Sequence, residues 1–219
     1  MKQNNPNIHS FLSTFRIETL EDGVFSIAMT LLVLNLKLPE KLDQSVFLAI
    51  VKIWPNLITF FGSFLLLGVY WFGHRTALHY IKYADHVFHW LNIFLLMFVS
   101  IVPFSSSVIA KYYYDRGAII LYGINLIAIG LTMYLQWSYA TLDYRLTEKD
   151  LSPVIVRYAK IRCIFAPMVY LLAICLSFLN ISIPLILYTV IPIFYTLPVF
   201  LPIWARMAEK STIQSNVIR

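Results

Sequence analysis

Charged residues are scarce in this chain. Asp, Glu, Lys and Arg make up 13% of its 219 residues, whereas soluble domains carry about 25%. Hydrophobic residues make up 59%, and the mean hydropathy is +0.72. A helix of roughly 20 apolar residues crosses a bilayer core, so this length suffices for about six crossings joined by short loops. The composition excludes a soluble domain and predicts an integral membrane protein.

The chain also lacks the residue patterns of enzymes and metal sites. Its two cysteines, Cys163 and Cys175, fall in one predicted helix, about 18 Å apart along the axis and beyond disulfide reach. No Cys/His spacing resembles a zinc site, and no glycine-rich phosphate loop or nucleophile elbow occurs. We therefore expect no catalytic residue, no metal and no cofactor.

The apolar segments predict an all-α fold, a bundle of six transmembrane helices that forms a single domain over residues 1–219. Pro55 and Pro103 are expected to kink the second and third helices. The predicted ranges are about 17–38, 46–78, 87–110, 117–142, 158–179 and 183–205.

The basic residues predict the topology. The formal charge of +6 is spread over membrane-flanking loops without a nucleic-acid-binding motif, so we expect no nucleic acid partner. The tail before the first helix lacks the pattern of a secretory signal, and we expect that helix to be retained. With both tails and the loops after the second and fourth helices on one side, that side holds twelve basic residues against five. The positive-inside rule then predicts a multi-pass plasma membrane protein with both termini in the cytoplasm.

The first helix begins with an unusual group of charges. Arg16, Glu18, Glu21 and Asp22 directly precede the apolar run of residues 24–34. Charges at this depth are costly and usually pair. We expect Glu18 and Glu21 to mark an interfacial helix start, and Asp22, the deepest of the three acids, to have a buried partner such as Arg16.

One stripe of the first helix is a candidate pore surface. At about 100° per residue, Gly23, Ile27, Thr30, Leu31 and Leu34 share one side of the helix. The stripe is consistent with ordinary helix packing. The competing interpretation is rings of branched side chains around an oligomer axis, which would gate a pore by excluding water.

Two further polar residues lie at helix ends that face the same side. His74 closes the second helix and Asn92 opens the apolar run of the third. Isolated polar residues of this kind are usually satisfied by packing partners. A hydrogen-bonded network that joins Asp22 or Arg16 to His74 and Asn92 would satisfy all of them at once.

Three segments carry a resemblance to a known family. They read RIETLEDGVFSIAMTLLVL over residues 16–34, WFGHR over 71–75 and LNIFLLMFVSIVPF over 91–104. Together they resemble the endosomal and lysosomal potassium channels known as transmembrane protein 175, especially the short prokaryotic members. The signature of that family is Arg, three variable residues and Phe-Ser-Asp. Arg16 and Asp22 stand at this spacing, whereas Leu20 and Glu21 replace Phe and Ser.

The resemblance implies a homotetramer of six-helix subunits in the lipid bilayer, with potassium ions passing through a central pore lined by helix one. The gate positions would then be Ile27, Leu31 and Leu34, and Thr30 would supply the selective ring. Glu21 would add a charge near the cytoplasmic mouth. The implied function is a potassium-selective channel that conducts passively.

Two other functions fit the same composition. One is a secondary or proton-coupled transporter in which Glu18, Asp22 and His74 titrate. The other is a membrane scaffold that conducts nothing. Flux driven by a potassium gradient alone, with unitary current steps, would distinguish a channel from both.

Overall fold

A computed structural model describes residues 14–38 and 45–196. Within these residues the chain forms seven α-helices, and an isolated antiparallel bridge joins Ile81 to Thr147. The all-α prediction is confirmed. The helices are α1 Thr14–Leu31, α2 Val46–Lys52, α3 Trp54–Tyr80, α4 His86–Lys111, α5 Arg116–Thr141, α6 Pro153–Leu176 and α7 Ser182–Thr196.

Four of the described helices are long and apolar enough to cross a bilayer. They are α3, α4, α5 with its short 3₁₀ extension to Tyr144, and α6. Helix α7 is apolar but has 15 residues, and α1 has 18 residues with four charges among them. The chain is a membrane protein with several apolar helices, and the count of six crossings stays a prediction.

Three predicted helices differ from those observed. The first ends as an α-helix at Leu31 and continues as a 3₁₀ segment, Leu32–Asn35. The second is divided at Ile53, because Pro55 has no N–H to bond and is favoured in the first turn of a new helix. The fifth begins at Pro153 for the same reason, five residues before the predicted start. The end of the sixth, residues 197–205, lies outside the described residues.

Helix α1 lies at one edge of the bundle. It packs against α3 and α4, while α5 packs between α4 and α6, and α7 covers α3 and α6. The buried apolar core runs through all of these helices, and α1 contributes Phe25, Ala28 and Leu32 to it. The other face of α1 therefore has no cover within the described part of the subunit.

The loops at the end that holds the α1 N-terminus are fixed by Asp85. Its carboxylate caps α4 by accepting from the Phe88 N–H at 3.0 Å, accepts from the Tyr139 hydroxyl at 2.6 Å, and lies 3.3 Å from the Arg145 Nε. Burial raises the pKa of Asp85, but the hydrogen bonds from Tyr139 and Phe88 and the charge of Arg145 outweigh it and hold the pKa below the ordinary value. The loop α3–α4 is thereby tied to the loop α5–α6.

Two glycines let α5 approach its neighbours. A Cβ at Gly123 would meet the Tyr188 hydroxyl and the Ile174 side chain, and a Cβ at Gly130 would meet the ring of Pro167. The two positions are seven residues apart and so lie on one face of the helix. Small residues on such a face allow close helix contacts in membranes, where packing rather than hydrophobic transfer holds helices together.

This packing predicts that Gly130→Val lowers stability. The added methyl groups would overlap the Pro167 ring, and overpacking costs typically 1–3 kcal/mol, roughly 2–12 °C in Tm for a chain of this size. The measurement is thermal unfolding of the detergent-purified protein followed by size-exclusion chromatography. Gly62→Val is the matched control, since nothing lies within 4 Å of a Cβ there. Equal losses from both variants would contradict the packing argument.

Candidate ion pathway and polar network

The sequence-predicted stripe lies on the uncovered face of α1 and its 3₁₀ extension. Ile27 and Leu34 are each 60% exposed and Leu31 is 42% exposed, whereas Phe25 and Leu32, on the opposite face, are buried against α3 and α4. The subunit therefore presents this stripe outward. An apolar face exposed in one subunit is covered either by lipid or by other subunits.

The composition of this face differs from that of a lipid-facing helix. Between its branched residues it exposes Gly23, Ser26 and Thr30, and nothing lies within 4 Å of a Cβ at Gly23. Small and hydroxyl-bearing residues are typical of helix interfaces and pores in membranes. The outer face of α6, by contrast, exposes large side chains throughout: Ile161, Phe165, Met168, Leu171 and Leu172.

Thr30 is oriented so that its oxygen can accept a cation. Its hydroxyl donates to the Ile27 carbonyl at 2.9 Å. Because the hydroxyl proton points back to the helix, the lone pairs of the Thr30 oxygen point away from it. Hard cations such as potassium are coordinated by oxygen atoms.

The 3₁₀ segment keeps Leu34 in line with Leu31. A 3₁₀ helix has three residues per turn, so residues three apart superpose along its axis, and it rises about 2.0 Å per residue. Leu34 thus lies about 6 Å beyond Leu31 on the same face. The segment is anchored to α4 and α3, since the Asn35 amide donates to the Pro103 carbonyl at 3.1 Å and the Asn56 amide donates to the Asn35 carbonyl at 3.3 Å.

A buried hydrogen-bonded chain links four helices at the other end of α1. Glu21 Oε2 lies 2.8 Å from His74 Nδ1, His74 Nε2 lies 2.8 Å from Gln136 Oε1, and Gln136 Nε2 donates to Asn92 Oδ1 at 3.2 Å. These residues belong to α1, α3, α5 and α4, and each is at most 3% exposed. We call this group the buried polar chain.

The buried polar chain has a defined direction. Since Gln136 donates to Asn92 and presents its oxygen to His74, the Nε2–H of His74 donates to Gln136, and the Nδ1 of His74 shares one proton with the Glu21 carboxyl group. The pair is neutral overall on whichever of the two atoms that proton lies, which avoids an isolated charge in a low-dielectric interior. Within the described residues, Glu21 Oε1 has no hydrogen-bond partner.

The expected pairing of Arg16 with Asp22 is wrong. Asp22 accepts from the Trp71 indole at 2.7 Å and lies 3.5 Å from Arg75, and its side chain is half exposed. Arg16 is exposed, and its position six residues before Asp22 places the two about 120° apart around the helix and 9 Å apart along it. His74 and Asn92 do lie in one network, but Glu21 joins them to α1, not Asp22 or Arg16.

Two members of the buried polar chain, Glu21 and Gln136, were not predicted from the sequence. Glu21 was expected at the interface and at the pore mouth, yet it is the most buried acid of α1. Its partner His74 is 53 residues away, so no local pattern links them. Gln136 could have been identified from the sequence, because an amide in the apolar interior of a membrane helix is costly unless it is hydrogen-bonded.

The structure gives no ligand set for a metal. Within the described residues, no group of three or more His, Cys, Asp or Glu side chains could hold an ion. Cys163 is half-buried and Cys175 is exposed, and both are free thiols.

Comparison with known proteins identifies similar membrane channels. Residues 16–103 match the family model described as endosomal/lysosomal potassium channel TMEM175. A potassium channel of Chamaesiphon minutus is 33% identical over 195 residues, which cover 84% of this chain and 94% of that relative. The crystal structure of a lysosomal potassium-selective channel TMEM175 homolog from Chamaesiphon minutus superposes with a TM-score of 0.72 at 31% identity, over 83% of this chain and 95% of that one.

A longer animal protein matches about half of the chain. The endosomal/lysosomal proton channel TMEM175 of Gallus gallus is 31% identical over 110 residues, which cover 46% of this chain and 22% of that relative.

The buried polar chain predicts that Glu21→Ala is strongly destabilising. Removing one partner of a buried pair costs about 3–5 kcal/mol, roughly 6–20 °C in Tm, because His74 is left without its acceptor. Asp22→Asn is the matched control on the adjacent residue: the half-exposed pair with Arg75 contributes less than about 1 kcal/mol. Thermal unfolding of the purified variants is the measurement, and a larger loss from Asp22→Asn than from Glu21→Ala would contradict the assignment.

Proposed function

The chain belongs to the TMEM175 family of potassium channels, and from this membership we propose that it is a potassium-selective channel whose pore is lined by α1. It is not an enzyme: ions pass down their gradient without a chemical reaction. The observation that carries the pore assignment is the exposed stripe of small and branched residues on α1. Its position at the edge of the bundle would let copies of α1 meet at a common axis.

The proposed assembly is a homotetramer. Four copies of α1 around an axis would form stacked rings of Ile27, Leu31 and Leu34. A narrow ring without polar groups excludes water and hydrated ions, so these rings would form a hydrophobic gate. The support for this arrangement is that all three side chains are exposed on a single face, while Glu21, Phe25 and Ala28 on the opposite face are buried.

Thr30 is the proposed selectivity residue. It is the polar member of the stripe closest to the gate positions, and its hydroxyl oxygen is free of the helix on the side of its lone pairs. One hydroxyl per subunit cannot replace a hydration shell as completely as a stack of carbonyl groups does. We therefore expect a modest preference for potassium over sodium.

The proposed topology has six crossings of the cell membrane with both termini in the cytoplasm. In this arrangement α1 and α7 cross together with the four longer helices. The support is the distribution of basic residues, twelve against five, because short loops rich in Lys and Arg stay on the cytoplasmic side.

A secondary or proton-coupled transporter that uses Glu18, Asp22 and His74 is the alternative. The observation in its favour is that a longer relative carries the name of a proton channel. Against it, His74 is engaged through both ring nitrogens inside the bundle. Purified protein in liposomes distinguishes the two: a channel passes potassium with the pH held equal on both sides and shows unitary current steps, whereas a proton-coupled carrier needs a pH gradient. A protein with neither activity would be a scaffold.

The gate assignment predicts that Leu34→Ala and Ile27→Asn raise potassium flux several-fold in liposomes. The first variant widens a ring and the second wets one, and either change lowers the barrier to a hydrated ion. Ile124→Ala on α5 is the control, because Ile124 is 56% exposed and of the same size as Ile27. Unchanged flux in both assembled gate variants, or raised flux in Ile124→Ala, would place the gate on another helix.

The selectivity assignment predicts that Thr30→Val lowers the permeability ratio of potassium to sodium toward one without loss of assembly. Valine has nearly the shape of threonine but no oxygen to coordinate a cation. Thr76→Val is the matched control, since Thr76 also donates to a carbonyl of its own helix, at 2.7 Å, but lies on α3. The measurement is the reversal potential under bi-ionic conditions. Full potassium preference in Thr30→Val would show that the threonine ring is not selective.

A further inference from the structure

A pocket between α3 and α7 lies at the end of the bundle opposite the α1 N-terminus. Its volume is about 430 Å³, within the range of roughly 300–1,000 Å³ that is typical of small-molecule sites. We call it the α3–α7 pocket. Five of the residues that line it are aromatic: Trp54, Tyr113, Tyr114, Tyr122 and Tyr188.

The pocket opens on the outer surface of the subunit and reaches into its core. Trp54, Ile58 and Ile186 line it and are exposed, whereas Ser63 and Tyr122 line it and are buried. Trp54 begins α3, and Trp and Tyr are enriched at the level where lipid tails meet headgroups. A molecule dissolved in the membrane at this level therefore has a lateral entrance to the pocket.

The lining of the pocket is uncharged. None of the described residues that border it is acidic, basic or a histidine. Charged residues beside the α4–α5 loop are engaged elsewhere, since the Asp115 carboxylate caps α5 and Lys111 lies over the Tyr112 ring. A charged ligand would lose its hydration without gaining a counter-charge, so the pocket favours an uncharged ligand.

The hydroxyl groups that α3 and α5 contribute present acceptors rather than donors. Thr59 donates its proton to the Pro55 carbonyl at 2.8 Å. Ser63 donates to the Ser106 hydroxyl at 3.1 Å, so the bond of 2.9 Å between Ser63 and Tyr122 uses the Tyr122 proton. Because these protons are engaged, the oxygens retain only lone pairs, and a ligand has to bring the donor.

Helix α7 adds further acceptors and an aromatic wall. The Thr189 hydroxyl donates to the Leu185 carbonyl at 2.9 Å, and the Tyr188 hydroxyl donates to the Ile119 carbonyl at 3.1 Å. The Tyr188 ring lies edge-to-face with the Tyr122 ring, with 5.3 Å between the centroids. Contacts between aromatic rings are worth more than their buried area alone, so this wall favours an aromatic ligand over an acyl chain.

We propose that the α3–α7 pocket binds an uncharged, lipid-soluble phenol, whose hydroxyl donates to the Thr59 oxygen and whose ring packs against Tyr122 and Tyr188. Thr59 is half-buried whereas Ser63 and Tyr122 are buried, so its oxygen is the easiest of the three to reach. The phenol supplies the donor that the lining lacks. No residue of the α1 stripe borders the pocket, so the site does not depend on the proposed ion pathway.

The test compares 2,6-diisopropylphenol with 1-fluoro-2,6-diisopropylbenzene, which has nearly the same shape but no hydroxyl. The measurement is the thermal unfolding midpoint of the detergent-purified, full-length protein against probe concentration, since a ligand of the folded state raises it. We expect the phenol to bind about fivefold more tightly, as one added hydrogen bond gives. Thr59→Val is expected to remove this preference. Thr76→Val is the matched control and is expected to keep it, since Thr76 also donates within α3, to the Phe72 carbonyl at 2.7 Å.

A second variant tests the position of the site. Gly62 lines the pocket, and nothing lies within 4 Å of a Cβ there, so Gly62→Leu places its side chain in the open space. We expect this variant to lose binding of both probes while its unfolding midpoint without a probe stays unchanged.

Equal affinity for the two probes would overturn the proposal, because it would mean an apolar slot that a lipid tail or residues 197–219 fill equally well. The absence of phenol binding would also overturn it. So would a preference for the phenol that survives in Thr59→Val, an equal loss of preference in Thr76→Val, or full phenol binding in Gly62→Leu.

Discussion

The buried pairing of Glu21 with His74 fixes the orientation of α1, and the remainder of the proposed pore follows from that orientation. A carboxylate in a low-dielectric interior must keep its partner, so α1 cannot rotate or slide without a large penalty. Phe25, Ala28 and Leu32 lie within about 40° of Glu21 around the helix and are buried with it. Thr30 follows Glu21 by nine residues, or about two and a half turns, and therefore points to the opposite side.

The replacement of serine by glutamate in the family signature changes the electrostatics of this end of the subunit. Along the sequence Glu21 adds an acid to this end of α1, but in the fold its side chain is paired with His74 within the bundle. Asp22, the acid of the signature, lies at the surface with Arg75 and Trp71. In the proposed pore, an entering ion would therefore meet the charges of Asp22, Arg75 and Arg16 rather than that of Glu21.

Periodicity and composition predict most of the helices of this fold because a membrane helix must be continuous, apolar and internally bonded. The outward stripe of α1 was also predictable, since it depends on spacing alone. The partner of Glu21 was not, because contacts between residues 53 positions apart depend on how helices rotate against each other. Pro55 indicated that the predicted second helix is interrupted near Ile53, but a proline permits either a kink within one helix or the start of a new helix. Pro103, inside continuous α4, is the opposite case.

The charges of α1 have a consequence for biosynthesis. Arg16, Glu18, Glu21 and Asp22 make α1 a poor substrate for insertion into the bilayer on its own, since a single ionised side chain at a helix centre costs the translocon about 2.5–3.5 kcal/mol. The residue that neutralises Glu21 emerges from the ribosome 53 residues later, about 3–10 s at ordinary rates of synthesis. Until then α1 has to wait at the interface or beside the insertion machinery. Its final depth in the membrane is thus set only after α3 has been synthesised. The proposed pore-lining helix precedes the other described helices in the sequence but is not the first of them to reach its final position.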